Sequence, residues 1–164
     1  MPQLETTIIT FIFPVRSRQV GGQLTHMAIT TPPVTFPNLR RFGFKGVTAY
    51  LEALLYRISA PRLERLQIEF FNQLTFSTPR LLHFVGATGN LGFKIAKFRF
   101  HDEVVYVGVY PHEEAEIYAP LFTFKCCHLD WQVSSAAQIC NPLSPVFSAV
   151  EHLTLEYSEH KRSS

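Results

Sequence analysis

The sequence has few cysteines, the residues from which disulfide frameworks are built. Its 164 residues include three cysteines, Cys126, Cys127 and Cys140. An odd cysteine count points to free thiols, as does the absence of any Asn-x-Ser/Thr acceptor or signal-peptide pattern. The sequence therefore predicts a reducing, intracellular compartment, cytoplasmic or nuclear.

The sequence also lacks a large excess of charge of either sign, and it has no long apolar run. Fifteen Lys and Arg residues against thirteen Asp and Glu leave a formal net charge of +2, which is too near balance to indicate a nucleic-acid partner. No apolar run reaches the roughly 18 residues of a membrane helix, so no membrane partner is expected. Hydrophobic residues make up 46% of the chain and charged residues 17%. This balance favours a folded chain, and the length suits a single domain over residues 1–164.

What the sequence does have is a recurring apolar-x-x-apolar-x-apolar pattern, which is typical of the strands of leucine-rich repeats. The clearest copy contains Leu63, Leu66 and Ile68, and the other copies begin at Leu4, Leu39, Ile95, Leu121 and Val150. First positions at 4, 39, 63, 95, 121 and 150 are separated by 35, 24, 32, 26 and 29 residues. Repeats run to about 20–29 residues, so two of the steps need insertions. The pattern predicts an α/β fold, an irregular leucine-rich-repeat-like solenoid with short parallel strands.

Few helices are predicted between these strands. Residues 48–59 keep one apolar face at helical spacing, with Thr48 as the cap and Pro61 beyond the end. Thr78 and Pro79 predict the start of a second, short helix, and a third is expected over about 132–141, with Asp130 as its cap.

Residues 96–110 read as a β-hairpin inserted where a helix would otherwise return. Its second half, Val104–Tyr110, is strongly β-branched. The same run would also suit the rival fold, a compact α+β domain with an antiparallel sheet.

Several strings resemble the leucine-rich region of fungal F-box-like proteins. They are Phe36–Phe42, Gly46–Glu52, Phe70–Leu74, His128–Val133 and Phe147–Leu153. The resemblance covers most of the chain. It implies a horseshoe that recruits partner proteins, in some members as the substrate-recognition part of a ubiquitin ligase adaptor. The F-box, a short helical module ahead of the repeats in that family, is not found in this sequence.

Strand alternation fixes the residues opposite the apolar set. Neighbouring strands lie about 4.8 Å apart, so these residues would form one concave stripe, basic in its middle, which suits an acidic segment of a partner protein. An ordinary solvated sheet face is the alternative. The predicted partner-binding residues are Arg41, Lys45, Arg65, Gln67, Glu69, Lys97, Arg99, His101, Lys125 and His152.

The most chemical-looking string contains Cys126, Cys127 and His128. Its spacing matches no zinc-ligand pattern, and a cysteine nucleophile would need a lowered pKa and a partner base. We therefore predict a non-enzymatic protein-interaction module without a cofactor. The alternative is a metal- or thiol-dependent enzyme centred on these three residues.

Both ends of the predicted solenoid lack a capping helix, which such arrays need to cover their terminal repeats. We therefore expect the domain to be incomplete at both ends, and the isolated chain either to be marginally stable or to associate end to end. The apolar residues expected to be under-covered are Ile9, Phe11, Phe13, Leu153, Leu155 and Tyr157.

Overall fold

The computed structural model describes residues 7–12, 32–71, 73, 75–88, 91–101, 104–112, 122–126 and 132–157. Within these ranges the chain is α/β, and no helix there is both long and apolar enough to cross a membrane. The strands are β1 Thr7–Ile12, β2 Val34–Thr35, β3 Leu39–Gly46, β4 Ile58–Ser59, β5 Arg65–Phe70, β6 Ile95–His101, β7 Val104–Tyr110, β8 Phe122–Cys126 and β9 His152–Tyr157. The helices are α1 Thr48–Leu55, α2 Pro79–Ala87, α3 Gln132–Cys140 and α4 Ser144–Phe147.

Seven of the described strands form one sheet in the order β1-β3-β5-β8-β7-β6-β9. The copies of the pattern at Leu39, Leu63 and Leu121 give β3, β5 and β8, which are adjacent and parallel. Six strands run in one direction, and β7 runs against them. The sheet is therefore mostly parallel, as the repeat pattern predicts, and the wholly antiparallel rival is wrong.

The inserted hairpin is confirmed, since β6 and β7 pair antiparallel with His101 opposite Val104. Its position changes the strand order. Consecutive repeats of a solenoid lie side by side, whereas β8 and β7 here lie between β5 and β6. Burial explains the inner place of β7, because Val105, Val107 and Val109 are each 0% exposed. The β-branched return strand of the hairpin takes the central position, and the more polar β6 lies outside it.

The core lies between this sheet and the helices. Alternate residues of β3 and β5, among them Phe42, Phe44, Leu66 and Ile68, are at most 2% exposed and belong to one apolar cluster. Leu51 of α1, Leu81 of α2 and Ile139 of α3 join the same cluster. The buried register predicted for the strand after Leu63 is therefore confirmed.

Helix α1 is shorter than its apolar pattern predicts. It ends at Leu55 rather than near residue 59, because the chain there turns into β4. This short strand pairs in parallel with β2, in a stretch that the sequence alone suggests is loop. Pairing with β2 satisfies backbone groups that another turn of helix would have satisfied internally.

Neither threonine predicted to cap a helix does so. Thr48 is the first helical residue of α1, and the side-chain oxygen Oε1 of Gln73 accepts hydrogen bonds from its backbone N–H (3.2 Å) and its hydroxyl (3.0 Å). Thr78 precedes α2 but makes no capping bond, and its buried hydroxyl has no hydrogen-bond partner among the residues that the structure describes. The cap of α2 comes from Glu52 instead. Both helices are thus capped by side chains from neighbouring segments.

The last strand is poorly covered. Leu153, Leu155 and Tyr157 are 62%, 66% and 72% exposed, as expected for that edge of the sheet. At the opposite edge, the side chains of Ile9 and Phe11, and all of Phe13, lie outside the described residues.

Candidate interaction face

Register places all ten predicted partner-binding residues on the sheet face that carries none of the described helices, which we call the helix-free face. The strand pairings align Arg41 with Arg65, and Lys45 with Glu69 and then Lys125. On the hairpin side they align Arg99 with Glu156, and His152 with Ile95. Lys97 and His101 alternate with Arg99 along β6, and Gln67 lies between Arg65 and Glu69 on the same face of β5.

Most of the described cations on this face are paired. Lys45 Nζ lies 3.0 Å from Glu69 Oε1. The carboxylate of Glu156 forms two ion pairs, one from Oε1 to Lys97 Nζ at 2.7 Å and one from Oε2 to Arg99 Nε at 2.8 Å. The bonds from Lys97 and then Arg99 hold the pKa of Glu156 below its ordinary value. The face is therefore less basic around β6 than the sequence alone predicts.

Arg41 and Arg65 are the exception. They lie directly opposite each other on parallel strands, which places two guanidinium-bearing residues on backbones about 4.8 Å apart. Neither guanidinium has an ion pair or a hydrogen bond in the part of the chain that is described. The acidic residue next to Arg65 in sequence, Glu64, is bound to Arg40. Among the described residues the two arginines thus form a positive site without a counter-charge, with exposed Gln67 beside it.

The remaining predicted residues contribute less. His101 and His152 are exposed at the rim of the face. Lys125 lies on the face by register, while its side chain is outside the described residues. Lys45 Nζ also lies 5.9 Å from the centroid of the Phe71 ring.

The helix-free face also carries an apolar pair that the sequence interpretation missed. Ile95 and Tyr110 are each 4% exposed and form their own small cluster. The repeat pattern predicts that Ile95 is buried, which is confirmed, but it lies on the opposite face of β6 from Phe98, because residues three apart in an extended strand point to opposite faces. Gly108 makes room for the Tyr110 ring, since a Cβ there would lie 2.9 Å from Tyr110 Oη.

The described residues show no arrangement of side chains that supports the enzyme alternative. Cys127 and His128 lie outside them, and Cys126 is placed only by the backbone of β8, in register with Phe70 and Val105. Cys140 is free, and burial raises its pKa to about 12. A thiol with that pKa is protonated at neutral pH and is a poor nucleophile. Among the described residues, no group of three or more His, Cys, Asp or Glu residues could hold a metal ion.

Comparison with known proteins adds no relative on which a function could be based. No family model matches the chain, and neither a curated protein nor a solved structure matches it.

Proposed function

We propose that the chain is a non-enzymatic protein-interaction module that binds an acidic peptide segment on its helix-free face. The observation that carries this proposal is the pair Arg41 and Arg65, which are in register and have no counter-charge among the described residues. Like charges directly opposite each other on neighbouring strands cost stability. A bound carboxylate would remove that repulsion, so the site favours an anionic partner.

The fold part of the proposal is an irregular leucine-rich-repeat-like solenoid. The parallel run β1-β3-β5-β8 supports it, with α1 between β3 and β5 and the apolar cluster on the helix side. In such arrays the sheet face opposite the helices is the usual binding surface. The hairpin β6–β7 is the irregular element, and it widens that surface with Lys97, Arg99 and Tyr106.

Arginine suits this partner for a geometric reason. Its planar guanidinium donates two parallel hydrogen bonds to one carboxylate, which fixes the orientation of the ligand as well as its charge. The guanidinium groups of Arg41 and Arg65, side by side, fit two acidic side chains of one extended segment. The exposed amide of Gln67 can form a hydrogen bond with the backbone of that segment. If the resemblance to F-box-like proteins extends to function, this segment would belong to a substrate protein recruited for ubiquitin transfer.

The test compares one labelled peptide of alternating Asp and Ser with its Asn counterpart, using fluorescence anisotropy. We expect the Asp peptide to bind, and Arg41→Gln with Arg65→Gln to weaken it by about tenfold or more, since each lost charged contact costs roughly 1 kcal/mol or more. Arg62→Gln is the matched control, because Arg62 is exposed and lies outside this face. Equal binding of the two peptides, or equal losses in the double variant and the control, would contradict the proposal.

The alternative, an enzyme centred on Cys126, Cys127 and His128, makes a different prediction for the same purified protein. It requires stoichiometric zinc or one abnormally reactive thiol. Metal analysis and thiol titration measure these directly. Either finding would replace the interaction module with the enzyme.

A further inference from the structure

A groove of about 570 Å³ lies on the helix side of the molecule, away from the helix-free face. It runs between α2, the end of α1 and β4. Leu55, Ile58, Ala60 and Phe84 supply apolar lining, and the ionisable side chains that line it are Arg80, His83 and Tyr56. None of the described residues that line this groove carries a carboxylate. A volume of this size is typical of sites that enclose a small ligand or a short peptide segment.

Arg80 is held in place at the groove. Its guanidinium carbon lies 4.1 Å from the centroid of the Tyr56 ring, a stacking distance that fixes the side chain without using its hydrogen-bond donors. Glu52, the carboxylate nearby, accepts the backbone N–H groups of Arg80 and Leu81. No salt bridge to Arg80 is found among the described residues. The Arg80 guanidinium helps to lower the pKa of Glu52 through space, but its N–H donors have no hydrogen bond among the described residues, so they can bond to an anion.

A strand edge that pairs with none of the described residues lies beside the same groove. Strand β2 bonds to one side of β4, with Val34 N–H to Arg57 O at 2.7 Å and Phe36 N–H to Ser59 O at 2.8 Å. Parallel pairing of this kind leaves the N–H and C=O of the intervening residue, Ile58, directed away from β2. Neither group has a hydrogen-bond partner in the described ranges. Ile58 also lines the groove, so an extended backbone there could satisfy both groups.

We infer that this groove binds an extended apolar peptide segment of another protein, with one acidic side chain, as a third strand beside β4. The segment's backbone would pair with Ile58, its apolar side chains would pack on Leu55 and Phe84, and its carboxylate would bond to Arg80. The free edge and the apolar lining favour a peptide over a small ion. The Arg80 cation, whose nearest described carboxylate is already bonded to backbone N–H groups, selects an acidic side chain over a basic one. This site is independent of the arginine pair on the helix-free face.

The test is an NMR titration of the ¹⁵N-labelled chain with two blocked peptides, acetyl-Val-Leu-Glu-Val-amide and its Gln counterpart. We expect shift changes concentrated at the amides of Ile58, Ser59 and Arg80. The Glu peptide should bind about five- to tenfold more tightly than the Gln peptide. Methylating the peptide nitrogen that faces Ile58 O should abolish the changes at Ile58, because β-augmentation depends on main-chain bonds.

Arg80→Gln separates the carboxylate contact from the groove itself. We expect this variant to bind both peptides equally, at the level of the Gln peptide, because the backbone N–H bonded to Glu52 is retained. Arg62→Gln should leave the preference intact. No shift changes at Ile58 and Arg80 up to about 5 mM peptide, where even millimolar binding is visible, would overturn the inference. Equal binding of the two peptides by the unmodified chain would overturn it as well, whether or not the variant folds.

Discussion

The carboxylate of Glu52 in α1 accepts the backbone N–H of Arg80 in α2 at 2.8 Å. Its second oxygen accepts the N–H of Leu81 at 3.2 Å. These donors belong to the first turn of α2, whose N–H groups have no partner within the helix. A side chain from one helix therefore caps the next, and the stability of α2 depends on the position of α1.

Removal of this cap should destabilise the fold. We expect Glu52→Ala to lower the free energy of unfolding by about 0.5–2 kcal/mol, the usual cost of losing a capping side chain. Glu52→Gln should lose less, because the amide oxygen still accepts a hydrogen bond. Urea denaturation followed by circular dichroism measures both. Glu151→Ala is the control, since its contact with Lys94 is long (3.8 Å) and exposed, and we expect a change below about 0.5 kcal/mol there.

The same carboxylate predicts a pH dependence. Burial raises the pKa of Glu52 more than the hydrogen bonds from Arg80 and Leu81 lower it. An acid whose pKa is higher in the folded state gives up stability as the pH rises from its unfolded pKa through its folded pKa. Glu52→Gln cannot ionise, so its stability relative to the unmodified chain should improve between about pH 4 and pH 7. A constant difference across that range would show that the pKa of Glu52 is the same in both states.

The register of β5 makes a sharp contrast between two adjacent residues. Leu66 is 1% exposed and aligned with Phe42, while Gln67 is exposed on the helix-free face. We expect Leu66→Ala to cost about 2–5 kcal/mol through the cavity it leaves. Gln67→Ala should cost less than about 0.5 kcal/mol. Equal losses in chemical denaturation would contradict the alternation of faces described for this strand.

Glu156 should titrate below the ordinary range because Lys97 and Arg99 bond to it. We expect Lys97→Met to raise its pKa towards the ordinary value, since one stabilising cation is lost. Lys94→Met, which removes a lysine bound to Glu151 instead, should leave it unchanged. NMR titration of the Glu156 carboxyl carbon measures the shift. The small stability that this group contributes is present above its unfolded pKa and is lost as the pH falls through its lowered folded pKa.

The sequence predicted individual strands better than it predicted which strands and side chains lie next to them. The pattern at Leu63, Leu66 and Ile68 determines its own strand and buried face, because alternation is a local property. The place of β6 beyond β7 depends on which strand buries more apolar surface, and the repeat spacing carries no information on that competition. The caps from Gln73 and Glu52 were missed for a similar reason, since each lies 25 or more residues from the helix end that it caps.

The helix-free face shows the same limit. All ten predicted residues lie on it, because the alternation of side chains along a strand is enough to assign each residue to a face. Whether their charges are compensated depends on ion pairs between strands that are distant in sequence. Arg99 and Glu156, for example, are 57 residues apart. Only the strand order shows which cations are compensated, and among the Lys and Arg side chains described on this face it leaves Arg41 and Arg65 without an ion pair.

The two outermost strands of the sheet, among those described, support a last prediction, which concerns association. Strands β1 and β9 run in the same direction, so β9 of one copy can pair in parallel with β1 of the next and continue the sheet. Leu153, Leu155 and Tyr157 are more than 60% exposed along β9, and exposed apolar edges promote such pairing. Contacts of this head-to-tail kind do not close into a dimer. We therefore expect a mass that rises steadily with concentration in size-exclusion chromatography with light scattering.

Leu155→Lys should suppress this association, because it places a charge on the apolar side of the edge. Thr154→Lys is the matched control: it adds the same charge to the same strand on the helix-free face, away from the exposed leucines. We expect it to retain more of the association than Leu155→Lys does. If the unmodified chain keeps the mass of a single copy at every concentration tested, the edges of the sheet do not pair. If both variants lower the mass equally, net charge rather than the apolar edge controls the association.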